Sequence, residues 1–189
     1  MNCLRKTSKR VFCIFPVLLI YIAAAAQPNL GTKDGKITFF SSTPVEDIKA
    51  ASDNLSAVWV TATQEIAFQV PIRSFQFAKG LMQEHFNENY MESGKYPYAS
   101  FKGKVEPRID ISKDGNYPVK ARGVLTVHGV SKNREILGRI TVRDGKARVT
   151  TSFDVACTDH HIKIPTLVIM KVAEVINVKV DAQLSSLNQ

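Results

Sequence analysis

The chain has 189 residues, with 25 Lys and Arg against 17 Asp and Glu, a formal charge of +8. Arg5, Lys6, Lys9 and Arg10 open the chain and the first 26 residues hold no acid, so the remainder stands at 21 basic to 17 acidic residues, or +4. That small excess sits mostly at alternate positions of strand-like runs and does not interleave with aromatics, which argues against a nucleic-acid partner.

The basic start is followed by an apolar stretch, Val11 to Ala26, that ends in Ala24-Ala25-Ala26 before Gln27. A basic start, an apolar centre and a small-residue end make residues 1–26 a cleaved secretory signal peptide. The stretch is shorter than the roughly 20 residues a spanning helix needs, and Pro16 interrupts it. Cys13 follows the bulky Phe12, away from the cleavage position, so it is not a lipoprotein cysteine. Residues 27–189 are then expected to form one exported domain, periplasmic in a Gram-negative cell and secreted otherwise. Cys3 and Cys13 leave with the signal. Cys157 is left without an internal disulfide partner and reads as a buried, inert thiol.

The rest of the chain is patterned with period two. Ile37, Phe39 and Ser41 share a face. The segment Thr43–Asn54 is polar and charged. Leu55, Ala57 and Trp59 alternate with Ser56, Val58 and Val60. A turn at Thr61–Gln64 leads to Ile66, Phe68, Val70 and Ile72, and the two runs read as a hairpin. Val119, Ala121, Gly123, Leu125 and Val127 oppose Lys120, Arg122, Thr126 and His128, and Gly129 closes that strand. Ile136, Gly138, Ile140 and Val142 follow. Asp144-Gly145 is a strong two-residue hairpin signal before Val149, Thr151, Phe153 and Val155. Ile176, Val178, Val180, Ala182 and Leu184 form the last inward set. One apolar and one polar face on strand after strand predicts an antiparallel sheet of eight or nine strands curled around an interior.

Lys79–Tyr90 (KGLMQEHFNENY) breaks the period. Leu81, His85, Phe86 and Tyr90 lie on roughly one helical face. A lone amphipathic helix in an all-β domain reads as a plug or cover, and the aromatic stretch Tyr96–Phe101 beside it reads as part of the same end. A weaker helical turn is expected at Pro165–Ala173. The inward set mixes Phe39, Phe68, Phe101 and Phe153 with Ala57, Gly103, Ala121, Gly123, Gly138 and Ala182. Such a set fits either a filled barrel or one that holds a ligand.

No nucleophile motif stands out: there is no G-x-S-x-G and no P-loop. Glu84, His85 and Glu88 do not form H-E-x-x-H and read as an exposed helix face. Cys157, Asp159, His160 and His161 are a conceivable metal cluster, although adjacent histidines on a strand point apart. His128 reads as structural. No cofactor is expected.

In its order of motifs, the chain resembles the YceI-like family of exported proteins, which are similar to lipocalins in architecture. The resemblance spans about Ile37 to Leu184. It rests on the helix leading into Lys95-Tyr96-Pro97 and on GVLTVHGVSK at Gly123–Lys132. Asp159-His160-His161-Ile162-Lys163-Ile164 stands where many members have D-F-G-I. The resemblance implies an eight-stranded antiparallel barrel with a long apolar cavity, in which some members bind polyisoprenoid or similar lipid chains. Alternation backed by that resemblance gives Phe68, Leu81, Phe86, Phe101, Leu125, Ile140 and Phe153 as cavity contacts. The expected role is non-catalytic binding of a hydrophobic small molecule, a lipid or isoprenoid chain, with no nucleic-acid partner. The alternatives are a solid barrel acting as an envelope stress or partner-binding protein and a small exported metal-dependent enzyme.

Overall fold

The computed structural model of the protein describes residues 28–164 and 172–187. The signal-like segment and most of the turn expected at Pro165–Ala173 lie outside the described residues. Among the described residues, nine antiparallel strands form one sheet: β1 (Leu30–Ser42), β2 (Asp47–Val60), β3 (Glu65–Pro71), β4 (Gln76–Phe77), β5 (Tyr98–Glu106), β6 (Gly115–Val127), β7 (Val130–Arg143), β8 (Lys146–Ala156) and β9 (Val175–Ser186). Eight of them run in the order β1-β9-β8-β7-β6-β5-β3-β2, and β1 also pairs with β2, which closes the barrel. The two-residue β4 is an extra rung on β2, with Ala50 opposite Phe77.

The inward faces are those the alternation predicts. Leu55, Ala57, Trp59, Ile66, Val70, Val105, Ile140, Val142, Val149, Ala182 and Leu184 are buried in one core. The outer face carries exposed ion pairs such as Lys120–Glu135 at 2.8 Å and Arg148–Asp181 at 2.5 Å. Exposed pairs of this kind contribute little to stability. Tight turns set the register of the later hairpins. Asp144 and Gly145, at φ 49° and 69°, join β7 to β8, and His128 and Gly129, at φ 50° and 73°, join β6 to β7. Gly103 pairs with Gly123 where β5 and β6 approach most closely. A Cβ on Gly123 would lie 2.1 Å from the Lys102 carbonyl oxygen and 2.4 Å from the Gly103 Cα.

One segment that the sequence left unassigned is strand, and one expected element is divided. The polar segment Thr43–Asn54 is largely strand: β2 begins at Asp47, and its inward positions are Ile48, Ala50 and Ser52. Ser52 is tolerated there because its hydroxyl lies 2.6 Å from that of Ser74, on a 3₁₀ turn at Ile72–Ser74. The expected helix begins where predicted but divides into an α-helix, α1 (Gly80–His85), and a π-turn at Phe86–Tyr90.

The lower end of the barrel is sealed. Trp59 and Leu30 lie fully buried there with Ile109 and Ile111, which come from the loop between β5 and β6. Gln64 pins that loop. Its Nε2 donates to the carbonyls of Thr61 (2.6 Å) and Ile109 (3.1 Å), and its Oε1 accepts from the Ile109 N–H (3.0 Å). A buried backbone group that loses its partner costs about 1–3 kcal/mol. Gln64→Leu should therefore destabilise the protein by about 3 kcal/mol, read from the midpoint of urea unfolding, with the barrel's circular dichroism unchanged.

Candidate functional site

An eight-stranded barrel is just wide enough for its side chains to fill it or to leave room for one ligand. Here they do not fill it. A cavity of about 280 Å³ opens at the upper end and a smaller one of about 90 Å³ lies below it. Ile37, Val70, Ala99, Leu125 and Phe153 border both cavities and form a collar between them.

The outer chamber is built from three sources. The upper halves of the strands supply inward residues such as Phe39, Ile48, Val155 and Val178. The chain after β3 supplies Ile72, Phe75, Phe77, Met82, Phe86 and Met91. The third source is the chain after β8, with Cys157, Ile162, Ile164 and Val172. Polar groups in the outer chamber are few. Ser41 Oγ accepts the Ala173 N–H at 2.8 Å, and Glu46 pairs with Lys79 at 3.0 Å. His85 and Tyr90 complete that set. An unfilled apolar cavity costs roughly 24 cal/mol per Å³, so the 90 Å³ inner chamber alone represents about 2 kcal/mol that an occupant would recover.

α1 and the π-turn contain no buried residue. They are held by a cluster of rings instead: Phe86 lies 5.4, 5.7 and 5.0 Å from Phe39, Phe75 and Phe77. Aromatic pairs at such distances contribute about 0.5–1.5 kcal/mol each beyond their burial. The far end of the helix is tied down by Ser93, whose N–H donates to the Asn87 carbonyl at 2.8 Å and whose Oγ accepts from Arg73 Nε at 3.2 Å.

The expected cavity residues separate into groups. Phe86 lines the outer chamber, Phe68, Phe101 and Ile140 line the inner one, and Leu125 and Phe153 line both. Leu81 is a correction: it is 62% exposed and lines neither chamber. The face turned inward is Met82, Phe86 and Tyr90, and Leu81 lies about 100° around the helix from Met82. Tyr96 and Tyr98 are also not part of the cavity. Tyr96 packs on the His128 ring at 4.5 Å, and Tyr98 faces out. Residues missed by sequence reading include Phe75, Phe77, Met82, Ile162 and Ile164. The alternation in Ser74-Phe75-Gln76-Phe77 is a signal that could have found the first two.

The cysteine and histidine candidates have separate surroundings. Cys157 is buried and lines the outer chamber, and burial raises its thiol pKa. His160 is buried and its Nδ1 donates to the Val130 carbonyl at 3.1 Å. His128 Nδ1 in turn donates to the His160 carbonyl at 3.1 Å, and its Nε2 lies 2.8 Å from Glu92 Oε2. These bonds fasten the wall after β8 to the turn between β6 and β7. Asp159 pairs with Arg134 at 3.6 Å, and His161 is exposed in a left-handed conformation at φ 56°. Among the described residues, no group of three His, Cys, Asp or Glu side chains is placed to hold a metal ion.

Burial lowers the His160 pKa, against the opposing pull of the Val130 carbonyl and of Asp159. The unfolded chain then binds a proton more readily than the folded one. The stability this neutral imidazole confers is complete above the ordinary histidine value of about 6.5 and is lost as pH falls from there toward its folded value. Urea midpoints should fall between neutral and mildly acidic pH, and His160→Asn should flatten that part of the profile while lowering stability at neutral pH.

Residues 25–184 match the family model described as YceI-like domain. No curated protein sequence matches the chain. Among solved structures, one similar fold is a polyisoprenoid-binding domain from Saccharophagus degradans implicated in plant cell wall breakdown. It has a TM-score of 0.72 and 14% identity, covering 85% of this chain and 99% of that one. BcnA from Burkholderia cenocepacia has a TM-score of 0.67 and 13% identity, covering 80% and 96%. A YceI protein from Campylobacter jejuni has a TM-score of 0.57 and 20% identity, covering 74% and 85%.

Proposed function

The chain belongs to the YceI-like domain family, and on that premise we propose that it is an exported, non-catalytic binding protein that holds one lipid or isoprenoid chain inside its barrel. The observation that carries this reading is the open apolar cavity of about 280 Å³ under the helix. Apolar burial contributes roughly 25 cal/mol per Å², so a hydrocarbon chain needs no specific polar contact to bind there. The polyisoprenoid-binding domain of similar fold agrees with this choice of ligand. A binding role fits the polar groups better than catalysis does. The polar residues of the outer chamber are Ser41, Glu46, His85 and Tyr90, and Ser41 and Glu46 already have protein partners. The basic and apolar start of the sequence supports export, to the periplasm in a Gram-negative cell and to the medium otherwise.

Native mass spectrometry of gently extracted protein tests the reading. The expected result is a bound mass that organic solvent removes. Cys157 offers a second readout, because its thiol lines the outer chamber. Refilling the stripped protein with a polyprenyl or fatty-acyl probe should slow alkylation of Cys157. Protein that carries no ligand and takes up neither probe contradicts the proposal.

A further inference from the structure

We infer that the inner chamber gauges chain length: it receives the terminal segment of a single hydrocarbon chain and sets the longest chain the protein binds fully. This inference rests on the binding reading above and adds what that reading leaves open, the form and reach of the ligand.

The geometry is that of two rooms in series. The chamber of about 90 Å³ lies beneath the collar of Ile37, Val70, Ala99, Leu125 and Phe153, and its own wall comes from Phe68, Phe101, Val119, Ala121, Ile136 and Ile140. Phe101 folds back over Gly103, its ring carbons 2.8 and 2.9 Å from where a Cβ would stand, so the missing side chain makes space for the ring. Below lies the sealed floor of Trp59, Leu30 and Ile109, with the Gln64 clamp beneath it. A small chamber with an apolar lining does not hold ordered water, which needs two to four polar partners. It is therefore suited to hydrocarbon. A polar head would be unsatisfied at that depth, so it stays by Glu46 and His85 at the mouth, and the chain enters tail first. A chain that has reached the floor has nowhere further to go, and added carbons must remain outside.

The test is a homologous series of saturated straight-chain alcohols, titrated against the wild type and Ala121→Leu. Ala121 faces the inner chamber and is remote from the mouth. Wild-type affinity should rise by about fourfold for each methylene buried and then level off at a defined length. In Ala121→Leu the short chains should bind as in the wild type, and the plateau should arrive several carbons sooner. Ile48→Trp, at the mouth, should weaken all lengths alike. Should Ala121→Leu fail to fold, Ala121→Val carries the same expectation at smaller amplitude. Curves for wild type and the Ala121 variant that superimpose at every length overturn the gauge and leave the binding reading intact. A wild type that binds no alcohol of any length overturns both.

Discussion

Closure of the sheet through β1 is the constraint on which the rest of the molecule depends. β1 bonds to β2 along one edge and to β9 along the other, and its register shifts on both sides near Gly35. A Cβ on Gly35 would stand 3.0 Å from both the Ala182 side chain and the Leu55 carbonyl. The missing side chain lets β1 bend between its two neighbours. Once the ring is closed, every second residue of eight strands points into one shared interior, and no long edge is left to pair with another chain. The choice of those inward residues then decides whether the interior is a core or a cavity.

The two ends of the barrel use that interior differently. At the lower end, large side chains and the Gln64 amide leave no passage. At the upper end, aliphatic and phenylalanine side chains leave space between them, and that space is roofed by chain that is not strand. α1 lies across this opening on a cluster of four phenylalanine rings without burying any residue of its own. The two histidines brace the opposite wall through backbone carbonyls. His160, which resembled part of a metal cluster in sequence, thus holds a wall in place together with His128, and the chemistry of the interior is almost wholly apolar.

The strands and their inward faces were legible in the sequence because a period of two maps directly onto a barrel wall. Phe68, Phe101, Leu125, Ile140 and Phe153 reach the cavity for that reason. The legibility ends where the period does. Ser52 looks like a solvated residue until the Ser74 hydroxyl is placed beside it by the 3₁₀ turn. Leu81 looks like the start of an apolar helical face, but the helix turns Met82 inward and widens into a π-turn at Phe86. Ile162 and Ile164 belong to irregular chain after β8, where no periodicity marks which side chains face the lumen. Nor does the size of a cavity follow from alternation, since it depends on how rings such as that of Phe101, laid over Gly103, occupy the interior.

Trp59, the sole tryptophan of the chain, lies buried in the floor beneath the inner chamber and offers the most direct measurement. The protein would be loaded in turn with two alkyl chains of equal length, one brominated at its terminal carbon and one beside its head group. The account predicts strong quenching of Trp59 fluorescence by the terminal bromine and little by the other. Equal quenching by both, or strong quenching only by the bromine beside the head group, would contradict a chain held tail-first inside the barrel.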